Sequence, residues 1–186
     1  MMTKPLILAS GSPRRRELLS LYTTDFTVCV SDFDETGLQA DTPAQLAEKL
    51  ARSKCLAVAA QHPGCVVLGC DTVVDVGGEV FGKPRDAADA VRMLRALSGA
   101  THQVHTGVCV SDGVRTRSFA DSCSVTFFPI PEEEIARYAA TGEPYDKAGA
   151  YAIQGRAALW LDHLEGDYYT IMGLPVSRTA RLLEQF

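Results

Sequence analysis

An α/β fold on a mixed sheet is what this sequence predicts, and three observations carry that reading. Short apolar runs bounded by Gly, Pro, Asp and Ser read as strands. Longer segments with apolar residues three and four positions apart read as helices. The two kinds of segment mix without strict alternation, which points to a mixed sheet flanked by helices. With 186 residues, 46% of them hydrophobic and 22% charged, the chain suits one domain over 1–186 with a real core.

Leu6–Ala9 is the first strand, and Ser10-Gly11-Ser12 leads it into a helix from Pro13 to about Tyr22. Pro13 takes the first helical position, where its missing N–H costs nothing, and Ser12 is the natural N-cap. Phe26–Val30 is a second strand, followed by the acidic loop Ser31–Gly37. Thr42-Pro43 opens a long helix to about Gln61, stopped by His62-Pro63-Gly64. Its apolar stripe is Leu46, Ala47, Leu50, Ala51, Ala57 and Val58. Cys65–Cys70 is an apolar strand that delivers Asp71-Thr72 at its end.

Gly77-Gly78 then turns Val73–Val76 back onto Glu79–Phe81. Asp86 caps a helix with Ala90, Met93, Leu94 and Leu97 on one side, closed by Gly99. Val104–Val110 and Val114–Phe127 form a longer hairpin about Asp112-Gly113. Pro131-Glu-Glu-Glu opens a helix whose acidic first turn suits the macrodipole, and it ends at Gly142. Glu143–Arg156 is a glycine-containing loop of mixed chemistry. Two more strands, Ala157–His163 and Tyr168–Ile171, bracket Glu165-Gly166-Asp167, and a last helix runs from Pro175 to the end.

A formal net charge of −5 argues against a general nucleic-acid binder, which carries a broad basic face. No apolar stretch is long enough to span a bilayer, and Met1–Leu8 lacks the apolar core of a signal peptide. The six cysteines (Cys29, Cys55, Cys65, Cys70, Cys109, Cys123) form no C-x-x-C pair and mostly lie in apolar runs. That is the pattern of buried, reduced thiols in a cytoplasmic protein. His62, His102, His105 and His163 show no zinc-ligand spacing with them, and His102 and His105 read as strand residues.

Positive charge is instead concentrated at one place. Arg14, Arg15 and Arg16 crowd the first turn of the first helix, where each opposes the macrodipole by about 0.3–1 kcal/mol. Free helical N–H groups, a small loop and guanidinium forks together suit a phosphorylated small molecule. Lys54 falls inside the stripe of the second helix, where it either snorkels to the edge or meets an anion. With Arg14, Arg15 and Lys83 it completes a set of cations for phosphates. Asp71, at the end of a buried strand, stands where open α/β sheets place functional carboxylates, or else is a structural cap. Glu35, in the acidic loop, offers hard oxygen to a divalent ion.

Leu8-Ala-Ser-Gly-Ser-Pro-Arg-Arg-Arg-Glu-Leu-Leu19, Gly69-Cys-Asp-Thr72, Gly82-Lys-Pro-Arg-Asp86, Leu97-Ser-Gly, Asp146-Lys-Ala-Gly-Ala-Tyr151, Ile153-Gln-Gly155 and Gly173-Leu-Pro175 together resemble the Maf family of nucleoside triphosphate pyrophosphatases. The motifs stand in family order over nearly the whole chain. The resemblance implies two lobes around a cleft, a homodimer, and a divalent cation (Mg2+ or Mn2+). It implies hydrolysis of a nucleoside triphosphate substrate to monophosphate and pyrophosphate by water attack at the α-phosphorus.

On matching positions, Asp71 is then the general base or metal-linked activator of water, and Glu35 helps hold the metal. Ser10, Arg14, Arg15, Lys54 and Lys83 bind the triphosphate, while Thr72 and Gln154 fall at specificity positions. Ile-Gln-Gly with Asp-Lys-Ala-Gly-Ala-Tyr resembles the dTTP/UTP-preferring branch, which leaves modified pyrimidine nucleotides open as well. A Gln amide both donates and accepts, matching the O4 and N3–H edge of uracil or thymine, though Gln154 can equally tie down its own loop. Cys70, Ala157 and Trp160 depart from the family pattern, and Cys70 is expected to crowd Asp71. A nucleotide-sensing regulator of septum formation and a nucleotidyltransferase are the rival functions.

Overall fold

The structure is a computed structural model describing residues 4–186; Met1–Thr3, part of the N-terminal stretch considered for a signal peptide, lie outside them. Among the described residues seven strands form one sheet in the order β2-β1-β3-β5-β6-β7, with β4 also paired to β3. The strands are β1 (Leu6–Leu8), β2 (Thr27–Val28), β3 (Val66–Val76), β4 (Glu79–Phe81), β5 (Thr101–Ser111), β6 (Thr116–Phe127) and β7 (Leu161–Glu165). β1 runs parallel to both β2 and β3, and every other pairing is antiparallel. The helices are α1 (Pro13–Leu19), α2 (Pro43–Gln61), α3 (Ala87–Leu97), α4 (Glu132–Ala139), α5 (Tyr168–Met172) and α6 (Val176–Leu183).

Alternation along β3 divides the core between the two faces of the sheet. Val66, Leu68, Cys70 and Val74 face a large cluster with residues of α1, α3, α4 and α6. Val67 joins Ile7, Cys109 and the α2 residues Ala51, Cys55 and Val58 on the other face. α2 lies very close to the sheet because β3 and β5 present glycines beneath it. A Cβ at Gly69 would meet the Ala51 carbonyl and stand 2.7 Å from the Cys55 Cβ. One at Gly107 would overlap the Ala47 carbonyl.

Caps follow the sequence reading: Ser12, Thr42 and Asp86 each accept a backbone N–H at the start of α1, α2 and α3. Several boundaries do not. α1 ends at Leu19 and β2 keeps only two residues. Tyr168–Ile171, expected as a strand for its aromatic and β-branched residues, belongs to α5. Asp167 caps that helix with a 3.0 Å bond from Tyr169 N–H, and Gly173 closes it at φ +99°. Ala157–His163 divides into a 3-10 segment, Arg156–Trp160, and β7. Asp71 does not end its strand either: β3 continues five residues further, paired to β5 and then to β4.

Candidate active site

β1 stops at Leu8, opposite Leu68, whereas β4 begins its pairing with β3 only at Val74. The edge of β3 between them is open. A cavity of about 760 Å³ occupies this gap. Asp71 and Thr72, on opposite faces of β3, therefore both reach the same space. Asp71 thus stands beyond the carboxyl end of the parallel pair, as expected of a functional carboxylate, but on a strand that passes through the site. The other sequence-selected residues, Ser10, Arg14, Arg15, Glu35, Lys54, Lys83 and Gln154, line this cavity too.

On the α2 face, Lys54 Nζ binds Asp71 Oδ1 and lies 2.7 Å from Glu35 Oε1. The lysine in the helical stripe meets anions rather than snorkelling away. Its reach depends on the two glycines that let α2 settle onto the strands. Asp71 is buried and Glu35 half exposed, so the pair spans the wall from sheet to loop. The two carboxylates converge on one ammonium, and hence on one point. Among the described residues no group of three or more His, Cys, Asp or Glu forms a cation cage. Two carboxylates completed by phosphate oxygens are nevertheless a donor set that a Mg2+-type ion accepts.

Cys70 does not crowd Asp71. Adjacent strand residues point to opposite faces, and the Cys70 thiol is buried with Leu68 and Val74, where burial pushes it up to about 12.

The other face of β3 carries a hydrogen-bond network around Arg15. Its Nε donates to the Gly173 carbonyl (2.9 Å), Nη1 to Ser10 Oγ (3.1 Å) and Nη2 to Thr72 Oγ1 (3.0 Å). A guanidinium has five N–H donors, so two remain for a ligand. The Gly173 carbonyl and the buried Thr106, 2.9 Å from Thr72, were not among the sequence candidates. A hydroxyl between His105 and Gly107 in a buried strand was the one available signal for Thr106.

Arg14 and Lys83 form no ion pair with a described carboxylate, and both face the cavity. Gln154 is exposed on the segment that follows Tyr151. That segment is held from beneath: Tyr151 Oη lies 2.8 Å from His102 Nε2, and Gly149 N–H donates to the Gly82 carbonyl at 3.1 Å. Tyr138 Oη donates to Glu143 Oε1 (3.0 Å) and accepts from Ala152 N–H (3.3 Å). Trp160, a departure in sequence, packs on Tyr138 and donates to Glu134 Oε2 at 2.9 Å. His102 and His105 are β5 residues.

Known proteins resemble this chain in profile, in sequence and in fold. The profile described as "Maf-like protein" matches residues 5–186. A dTTP/UTP pyrophosphatase of Bacillus cytotoxicus is 49% identical over 183 residues, covering 98% of this chain and 96% of that one. Another of that name, from Symbiobacterium thermophilum, is 51% identical over 181 residues, covering 97% and 93%. Among solved structures, the Ham1 protein of Staphylococcus aureus superposes with a TM-score of 0.57 at 18% identity, covering 98% of this chain and 99% of that one. A HAM1 protein of Coxiella burnetii gives 0.53 at 12% identity, covering 99% and 100%; at such identities the likeness concerns the fold alone. Identity near one half, end to end, joined to a profile that runs through every strand and helix described above, leads to one conclusion: the chain belongs to the Maf family.

Proposed function

We propose that the protein hydrolyses dTTP and UTP to the monophosphate and pyrophosphate. The observation that carries this reading is a buried carboxylate, Asp71, held by Lys54 on a cavity that Arg14 and Arg15 also line. Asp71 takes a proton from water as its oxygen forms a bond to the α-phosphorus. The bond from that phosphorus to the bridging oxygen breaks, and pyrophosphate leaves with the electron pair. Arg14, Lys83 and the two spare donors of Arg15 balance the charge that grows on the leaving group. Ser10 fixes Arg15, and Lys54 keeps Asp71 aimed at the cavity. Thr72 and Gln154 read the base.

Glu35 and Asp71, two hard carboxylates that flank the Lys54 ammonium beside a space for phosphates, would hold a divalent cation. Such an ion supplies Lewis-acid stabilisation of phosphoryl oxygens. A homodimer belongs to the same reading, with the exposed Val28 and Val30 on and just beyond the outermost strand as its apolar face; a monomer in sedimentation velocity removes that part. Six free cysteines favour a reducing compartment, the cytoplasm. No described helix is long and apolar enough to cross a membrane.

The test is pyrophosphate release from a nucleotide panel with Mg2+ or Mn2+. Asp71→Asn is expected to lower kcat by at least about 100-fold while nucleotide binding persists. Wild-type rates in that variant overturn the role of Asp71. Nucleotide bound without turnover by the wild-type protein overturns hydrolysis in favour of a sensor. Gln154→Glu should lower activity on dTTP and UTP selectively; an equal loss on every base removes Gln154 from base reading.

A further inference from the structure

We infer that Thr106 is a positioning residue that fixes the hydrogen-bond polarity of Thr72, and through it the choice between pyrimidines. The inference rests on the reading of the cavity as a pyrimidine nucleotide site. Thr106 is fully buried on β5, directly opposite Thr72 in the β3–β5 ladder. Its hydroxyl lies 2.7 Å from the Thr170 carbonyl, which can only accept, so Thr106 spends its one proton there. In the 2.9 Å contact between Thr72 and Thr106 the donor must therefore be Thr72.

Arg15 Nη2 donates to the same Thr72 oxygen. A hydroxyl has one proton and two lone pairs. The proton is committed to Thr106 and one lone pair to Arg15, so what Thr72 offers the cavity is a single acceptor. The chain runs in one direction, from Arg15 through Thr72 and Thr106 to the Thr170 carbonyl. It ties α1, β3, β5 and α5 to one hydroxyl.

An acceptor at this place suits a ligand edge that donates. Uracil and thymine carry N3–H between two carbonyls, whereas cytosine presents a bare N3 lone pair. Two facing lone pairs repel, and a polar group left unpaired in a closed site costs more than a missing contact. Thr72 thus takes the N3–H of uracil or thymine, and Thr106 bars Thr72 from rotating its proton outward to welcome cytosine. Gln154, exposed at the cavity, is left to donate its amide N–H to a flanking carbonyl.

Thr106→Val keeps the shape and removes the acceptor that holds the Thr72 proton. Measured as kcat/KM for pyrophosphate release, the preference for UTP over CTP should narrow by roughly ten-fold, the worth of about one hydrogen bond. Thr106→Ser, which retains the hydroxyl, should restore the wild-type ratio. A parallel loss on UTP and CTP, as a purely structural role would give, overturns the inference, and so does an unchanged ratio. An independent arm uses the wild-type protein and holds even if the valine variant does not fold. UTP methylated at N3 should be turned over at least about ten-fold more slowly than UTP, and equal rates overturn the inference. A wild-type protein that releases no pyrophosphate from UTP removes the parent reading itself, an outcome distinct from normal turnover with an unchanged ratio.

Discussion

Lys54 and Arg14 show how single residues at the cleft trade stability against chemistry. Lys54 stands between a buried and a half-exposed carboxylate, so its loss leaves Asp71 as an uncompensated buried charge. Removing one partner of a fully buried pair costs about 3–5 kcal/mol, and the exposure of Glu35 lowers the figure here to about 2 kcal/mol. Lys54→Met is therefore expected to lose that much in urea unfolding and to slow pyrophosphate release more than ten-fold. A variant of unchanged stability and rate would show that the pairing matters to neither. Arg14 has the opposite balance. In the first turn of α1 it opposes the macrodipole, with no described carboxylate paired to it. Arg14→Ala should gain roughly 0.5 kcal/mol of stability while raising the KM for nucleotide. A variant less stable than the wild type contradicts this reading of the helix start.

At the scale of elements, the distance between α2 and the sheet decides where Lys54 ends. Gly69 and Gly107 allow carbonyl groups of α2 to lie where side chains would otherwise stand. Gly107→Ala is expected to cost about 3 kcal/mol by overpacking, read as a lower urea midpoint, and to weaken activity in the molecules that remain folded. The obstacle is helix backbone, which no side-chain rotation relieves, so a neutral substitution would mean that α2 sits further out. α5 forms against the local preference of its residues. Tyr168–Ile171 has strand-like composition, yet the Asp167 cap and the left-handed Gly173 close a single helical turn there. Local propensity yielded to caps and packing. As a result the Thr170 carbonyl and the Gly173 carbonyl are directed toward the cleft network.

For the molecule as a whole, His102 links the core to pH. Its ring is 2% exposed, between Phe127 and Tyr151 at centroid distances of 5.1 and 5.5 Å, and burial lowers its pKa to about 4. An unfolded histidine titrates near 6.5, so between these values the unfolded chain binds more protons. Stability from this group is fully present above about pH 6.5 and is lost as pH falls toward 4. The loss amounts to about 3 kcal/mol, at roughly 1.4 kcal/mol for every pH step of one between the two titration points. Urea midpoints from pH 7 to 4 should fall less steeply in His102→Phe than in the wild type; identical slopes would exclude His102 as the source.

The sequence by itself determined the elements with long regular patterns: the capped α2, the apolar core of β3, the two hairpins. It also brought the cleft residues to notice, because cations at a helix start and a lysine in an apolar stripe violate local preference and so require an anion. Only the tertiary structure decided that Asp71 lies mid-strand on an open edge, that Lys54 unites it with Glu35, and that Thr106 and Thr170 stand behind Thr72. Periodicity records which way a side chain points along its own element. Which hydroxyl or carboxylate faces it across 17, 34 or 64 residues of chain is set by strand pairing and helix packing, and these arise only when the elements meet.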